Sequence, residues 1–178
     1  VTTIRTDRLI LRPWRDDDLE PWAALNADPE VREFWPSVLT REQSAATMRE
    51  FAADLDRRGW GWWAVEVAAT GQFIGMAGID PVDADMEFRG VETGWRLSRD
   101  AWGHGYATEA ARAAVGYGFD ELGLAEIYAA AVEGNERSRA VMRRIGMVHV
   151  PEYDFDDPEV PAGPLRRVVV YRLGAGAR

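Results

Sequence analysis

A mixed α/β domain built on one central sheet is the fold class this sequence predicts, and three observations carry the prediction. Short runs rich in β-branched and aromatic residues alternate with helical patterns. Capping residues and glycines mark where several helices start and stop. A glycine-marked turn, Trp102-Gly103-His104-Gly105-Tyr106-Ala107-Thr108, leads from a strand pattern straight into a long Ala-rich helical one.

Taken in order, Arg8 to Trp14 reads as a first strand. Asp16-Asp17-Asp18 can cap the helix that follows, with Leu19, Trp22, Ala23 and Leu25 on one face. Asp28-Pro29-Glu30 predicts a restarted helix with proline at its first position. Phe34-Trp35-Pro36-Ser37 breaks it. Thr40 with Gln43 forms a capping box, and Met48, Phe51, Ala52 and Leu55 follow at helical spacing as far as Gly59. The runs Trp62 to Val67 and Phe73 to Ile79, joined at Thr70-Gly71, predict an antiparallel hairpin. An acidic loop from Asp83 to Gly90 precedes the strand Val91 to Leu97. The Ala-rich helix then runs to about Leu122, followed by a strand from Ile127 to Val132. Asn135 caps a helix carrying Ser138, Val141, Met142 and Ile145, and Gly146 ends it. Val148–Val150 and Arg167–Leu173 close as a strand pair around a Pro- and Asp-rich loop from Tyr153 to Pro164. Residues 1–174 therefore read as one domain, with 175–178 as a frayed tail.

Composition narrows the function. The 178 residues are enough for one sizeable core, and 47% apolar with 29% charged residues is the balance of a soluble globular protein. Two histidines far apart and no cysteine leave no zinc site, disulfide framework or cysteine nucleophile, and no metal is expected. No apolar run approaches the ~18–20 residues of a membrane span, and no signal-peptide pattern stands at the N-terminus, so a cytoplasmic location without membrane contact is expected. A net charge of −9 argues against nucleic acid as the partner and suits an amine.

The turn at 102–108 has two readings. One is a tight turn and nothing more. The other is a phosphate cradle: glycines allow close backbone approach, and the first N–H groups of a helix have no intrahelical acceptor and carry positive partial charge. The P-loop pattern is absent, and the dinucleotide pattern fails because Thr108 stands where its third glycine would be.

The layout, with local motifs at matching spacings, resembles the GNAT superfamily of acyl-CoA-dependent N-acyltransferases over almost the whole chain. Within it, the chain is similar to the Rim-type branch that acetylates N-terminal amines of ribosomal proteins. The resemblance rests on Thr6-Asp7-Arg8-Leu9-Ile10-Leu11-Arg12, Phe73-Ile74-Gly75, Glu92-Thr93-Gly94-Trp95-Arg96-Leu97, the 102–110 run, Asn135-Glu136-Arg137-Ser138, Ile145-Gly146-Met147 and Tyr171-Arg172-Leu173. It implies a mixed, mostly antiparallel seven-stranded sheet with about four flanking helices, splayed between its fourth and fifth strands, here 91–97 and 127–132. It also implies acetyl-CoA as cosubstrate, its pyrophosphate on the backbone of Trp102, Gly103, His104, Gly105, Tyr106, Ala107 and Thr108. The pantetheine arm would pair with Leu97 like an added strand and meet the Asn135 side chain, with Ser138 nearby. Trp102 stands where Gln or Arg is commoner in the family's turn. Arg139 and Arg143 are candidate partners for the 3′-phosphate; a basic solvent face is the other reading.

The implied reaction is attack of a neutral amine on the thioester. That chemistry needs a base for the ammonium proton, a donor for the developing oxyanion and a proton for the leaving sulfur. Glu92 is the candidate base, unless it merely pairs with Arg96; Asp80 and His104 are its rivals. A backbone N–H near Leu97 is the candidate oxyanion donor. Many family members carry a tyrosine acid seven residues after the motif's asparagine, where this chain has Met142, so that role is absent or falls to Ser138 or water. Phe34, Trp35 and Pro36 with the 153–164 loop are expected to wall the acceptor pocket, with Trp35 and Tyr153 as contact residues. Asp83, Asp85, Glu87 and Asp154 are candidates for an acidic rim. The acceptor is a protein N-terminal amine or a small-molecule amine, and the closing strands offer an edge for a homodimer. The competing reading is an acyl-CoA-binding or sensing module of the same fold without turnover.

Overall fold

The structure is a computed structural model and describes residues 2–83, 86 and 88–177. Its strands are β1 (Ile4–Arg5), β2 (Leu9–Arg12), β3 (Trp62–Val67), β4 (Gln72–Pro81), β5 (Val91–Leu97), β6 (Glu126–Val132), β7 (Val148–His149), β8 (Phe155–Asp156) and β9 (Arg167–Gly174). Its α-helices are α1 (Leu19–Ala27), α2 (Arg41–Arg58), α3 (Tyr106–Asp120) and α4 (Glu136–Arg144). The strands form one sheet in the order β1-β2-β3-β4-β5-β6-β9-β7, with β8 also on β9. The two-residue strands β1 and β8 are what raise the expected seven to nine among the described residues.

Every strand pair is antiparallel except β5 with β6, which run parallel and share the single register pair Glu92↔Tyr128. From Thr93 to Leu97 the β5 edge that faces β6 therefore has no partner strand. This is the splay, and it opens the sheet at its centre.

The two faces of β5 are built differently. Thr93 and Leu97 are buried toward α3, whose Ala110, Ala111 and Ala114 are small enough to bring the helix close to the sheet. Glu92, Gly94 and Arg96 face the α1–α2 side. Gly94 makes room there for the Trp62 ring, which a Cβ would meet at 3.2 Å and push back by a few tenths of an ångström. Under the same layer Trp22, Leu25, Val31, Met48 and Met76 form a second core.

The capping box at α2 is present, Gln43 N–H donating to Thr40 Oγ1 at 3.2 Å and Thr40 N–H to Gln43 Oε1 at 2.8 Å. The helix expected after Asp28 is not formed; residues 29–34 make a turn only. Leu39 N–H reaches back to Asn26 O at 3.0 Å, and Arg32 Nε donates to Ser37 O at 2.9 Å. These tertiary bonds fold the segment back on itself before a second helical turn can build. Asp18, expected only as a cap, is also a buried ionic partner. Arg12 grips it through Nη1 and Nη2 at 2.7 and 2.8 Å and bonds Glu66 through Nε at 2.6 Å. Ala175–Ala177 form a short 3-10 turn, Ala175 N–H bonding Ala125 O at 2.9 Å. No helix among the described residues is long and apolar enough to cross a membrane.

Candidate active site

Two cavities meet at the open centre of the sheet. The larger, about 1550 Å³, runs from the splay along the start of α3 and under the N-terminal segment. The smaller, about 320 Å³, lies over the Glu92 face of β5. Phe34, Trp35, Trp95, Arg96, Asn135 and Ser138 line both, so they mark the junction.

The floor of the larger cavity is the 102–108 turn. Gly103 and Gly105 sit at φ 77° and 78°, left-handed values that a side chain resists. They turn the chain so that α3 begins at Tyr106, and its first backbone bond is Glu109 N–H to Gly105 O at 3.1 Å. The N–H groups from Gly103 to Thr108 have no backbone acceptor among the described residues. Donors converging at a helix start fit a diphosphate. Trp102 differs. Its N–H is spent on Arg99 O at 3.0 Å and its indole N–H on Leu97 O at 3.0 Å, so only its ring is left to the cavity. His104 is exposed and stacks on Tyr106, its ring far from any role as a base at the junction.

The turn is braced by residues the sequence reading left without a role. Arg8 Nη1 donates to His104 O at 2.8 Å, and its Nε donates to Glu109 Oε2 at 2.7 Å. Thr6 Oγ1 donates to Glu109 Oε1 at 2.6 Å. Burial raises the Glu109 carboxyl, but the Thr6 and Arg8 bonds outweigh it and leave its pKa low. The signal was present in the Thr6-Asp7-Arg8 opening, but nothing local tied it to a turn some hundred residues away.

On α4, Asn135 Oδ1 accepts the Ser138 N–H at 3.1 Å, capping the helix and fixing both residues at the junction. Arg139 and Arg143 line neither cavity. Arg139 Nη1 donates to Glu133 O at 2.9 Å and its Nε to the Tyr171 hydroxyl at 3.3 Å, while Arg143 pairs with Glu136. Arg137 and Arg144, seven residues apart on the opposite flank of the helix, line the larger cavity with Arg112. Helical phase thus sets Arg139 and Arg143 on the flank away from the two cavities.

The smaller cavity is walled by Phe34, Trp35, Pro36, Trp62 and Met76, with Asp157 and Val160 from the long loop. Tyr153 lies elsewhere, packed on Phe88 and Tyr128 in a separate cluster. Asp154 is occupied by His149 and the Val170 N–H, so it forms no rim. Asp85 and Glu87 lie outside the described residues. Met142 is 2% exposed and lines the smaller cavity.

Glu92 lines that cavity with no hydrogen bond or ion pair among the described residues, and it does not pair with Arg96. Burial first, then the nearby charges of Asp83 and Asp80, push its pKa up to about 7. Its register partner Asp80 is held instead by Arg58. Arg96 Nη1 donates to Asn26 Oδ1 at 2.9 Å, and its guanidinium lies 4.6 Å from the Trp35 ring centre and 5.4 Å from that of Trp22. Burial, with Arg32 nearby, lowers its pKa to about 9. No group of three or more metal-ligating side chains occurs among the described residues.

Residues 8–148 match the Acetyltransferase (GNAT) domain family. The FsC-acetyl coenzyme A-N(2)-transacetylase of Aspergillus fumigatus is 33% identical over 178 residues, spanning 92% of this chain and 74% of that one. The acetyltransferase from Agrobacterium tumefaciens superposes with a TM-score of 0.77 at 29% identity, covering 97% of this chain and 94% of that chain. A RimL ribosomal L7/L12 alpha-N-protein acetyltransferase in complex with coenzyme A gives a TM-score of 0.77 at 16% identity, over 99% of this chain and 100% of the other; this is a likeness of fold alone.

Proposed function

This chain belongs to the GNAT family of acetyltransferases, enzymes that depend on acetyl-CoA, and from that premise we propose that it acetylates a primary amine by direct attack, with Glu92 as general base. The observation that carries the reading is the meeting of the two cavities beside an unpartnered carboxylate whose pKa is about 7. Bound acetyl-CoA supplies an activated acetyl thioester. The N–H groups from Gly103 to Thr108 hold its pyrophosphate, and the free β5 edge near Leu97 lines its arm and offers a donor for developing negative charge. Asn135 orients that arm. Glu92 takes the proton that an ammonium must lose, directly or through water, and Ser138 keeps a hydroxyl donor at the junction where Met142 cannot supply one. Trp35 walls the acceptor side. Acceptors of two classes suit the reading: a protein N-terminal amine, as in the Rim-type branch, or a small-molecule amine.

Release of free CoA thiol, scanned over N-terminal peptides and small amines, tests this. One acceptor class is expected to drive release, and Glu92→Gln to lower turnover at saturating substrate by about 10²–10³-fold. Because the base must be deprotonated, kcat/KM should rise as pH increases through about 7, and this inflection should vanish in Glu92→Gln. Full turnover in the variant sinks the base assignment; acetyl-CoA binding with no release for any amine sinks the function.

A further inference from the structure

Two arginines stay unexplained by the reaction as proposed: Arg96, half-buried where the two cavities meet, and Arg32, buried behind it. The Arg96 guanidinium has no carboxylate partner among the described residues, in a chain with 30 Asp and Glu. Its Nη1 is taken by Asn26, but its buried Nε and its Nη2 make no hydrogen bond among the described residues. Arg32, 9% exposed, lies 4.8 Å from the same Trp35 ring centre, and among the described residues its side chain's only hydrogen bond goes to Ser37 O. A charge drawn out of water without a partner is costly, and among the described residues two arginines around one tryptophan have no carboxylate partner.

We propose that Arg96, supported by Arg32, binds a carboxylate carried by the acceptor, so that the substrate is an amino acid-like amine rather than a peptide N-terminus or a polyamine. The inference rests on the acetyltransferase reading above and deepens it. The free edge of Arg96, Nε with Nη2, is the planar fork that takes a carboxylate side-on through two parallel bonds. Arg96 lines both cavities, with the Trp35 ring stacked on its guanidinium, so a ligand at their junction meets this residue once the side chains around the buried Nε give way. Glu92 and Arg96 stand on one face of β5, four residues and about 13 Å apart along the strand, with Gly94 and the Trp62 ring between them. A base for the ammonium at one end and a cation at the other match a molecule bearing both charges. A polyamine would meet the two arginines as like charges, and a peptide would offer them a neutral amide.

Calorimetric titration in the presence of CoA separates these acceptors without requiring turnover. The probes are N-acetylglycine, N-acetyl-4-aminobutyrate and N-acetyl-6-aminohexanoate, each against its terminal amide. At least one acid should bind tenfold or more tightly than its amide. In Arg96→Gln that ratio should fall to near one, and Arg96→Lys, which keeps charge but not the fork, should recover only part of it. Equal binding of acid and amide for every pair overturns the proposal, as does a preference that persists in Arg96→Gln. A raised KM for acetyl-CoA with acid preference intact would instead assign Arg96 to the cosubstrate and also overturn it. CoA release with the matching free amines tells the two readings apart. Acid preference without release from any amine defeats the transfer reaction and leaves the carboxylate site standing; release without acid preference does the reverse.

Discussion

Two regions of this molecule draw an arginine in from solvent, Arg12 fully and Arg96 in part, and they treat it in opposite ways. Arg12, 4% exposed, is enclosed by Asp18 and Glu66 through three charge-assisted bonds, with Arg15 closing the group at the surface. Arg96 is enclosed by two tryptophans and an amide, its Nε unsatisfied. The first cluster ties β2 to β3 and to the start of α1, and every charge in it has an answer within the chain. The second has an amide and two rings, but no carboxylate among the described residues. Pairing marks the structural charge, and its absence marks the charge held ready for something that arrives from outside.

Breaking the paired cluster should have the largest effect. Arg12→Ala strands two buried carboxylates and should destabilise the fold by about 3–5 kcal/mol in urea unfolding; a loss below 1 kcal/mol would show that water already serves that cluster. Next comes Glu92, the unpaired carboxylate. Its pKa is raised in the folded state, so its stabilising influence is greatest when it is protonated and is lost as pH rises through about 7. Glu92→Gln should therefore be more stable than the parent at pH 8, by up to about 3 kcal/mol, with the difference shrinking toward pH 5. Removing the unpaired cation should be milder. Arg96→Met removes a half-buried charge but forfeits the Asn26 bond and two ring contacts, and a net gain of about 1 kcal/mol is expected. A large loss would reclassify Arg96 as structural. Last, Arg8→Ala, at an exposed ion pair, should cost under about 1 kcal/mol of stability while raising KM for acetyl-CoA several-fold, because the brace on His104 O is gone.

How much of this was legible beforehand follows the range of the interactions. The α2 capping box, the β3–β4 hairpin and the Asn135 cap are set by residues a few positions apart, and the sequence displays them. The same holds for the glycine turn, since its backbone demand is local. The helix predicted at Asp28-Pro29 failed because Leu39 and Ser37 reclaim the segment from outside the window in which a helix start is read. On α4 the face bearing Ser138 and Met142 was readable, but which flanking arginines turn toward the cleft depends on how the helix lies on the sheet. Arg137 and Arg144 could not be preferred to Arg139 and Arg143 on spacing alone. The isolation of Arg96 was least legible of all, because it is a statement about every carboxylate that is not there.

The free edge of β5 has a consequence of its own. A sheet that stops pairing at its middle is an unfinished one, and under the proposed reading the strand that completes it arrives with each acetyl-CoA and departs with each CoA. The resting enzyme and the loaded enzyme then differ as a frayed fabric differs from a hemmed one. Amides on the free edge between Thr93 and Leu97 should exchange their hydrogens more slowly when the coenzyme arm is bound, and a cell short of coenzyme A would hold this protein in its more perishable form.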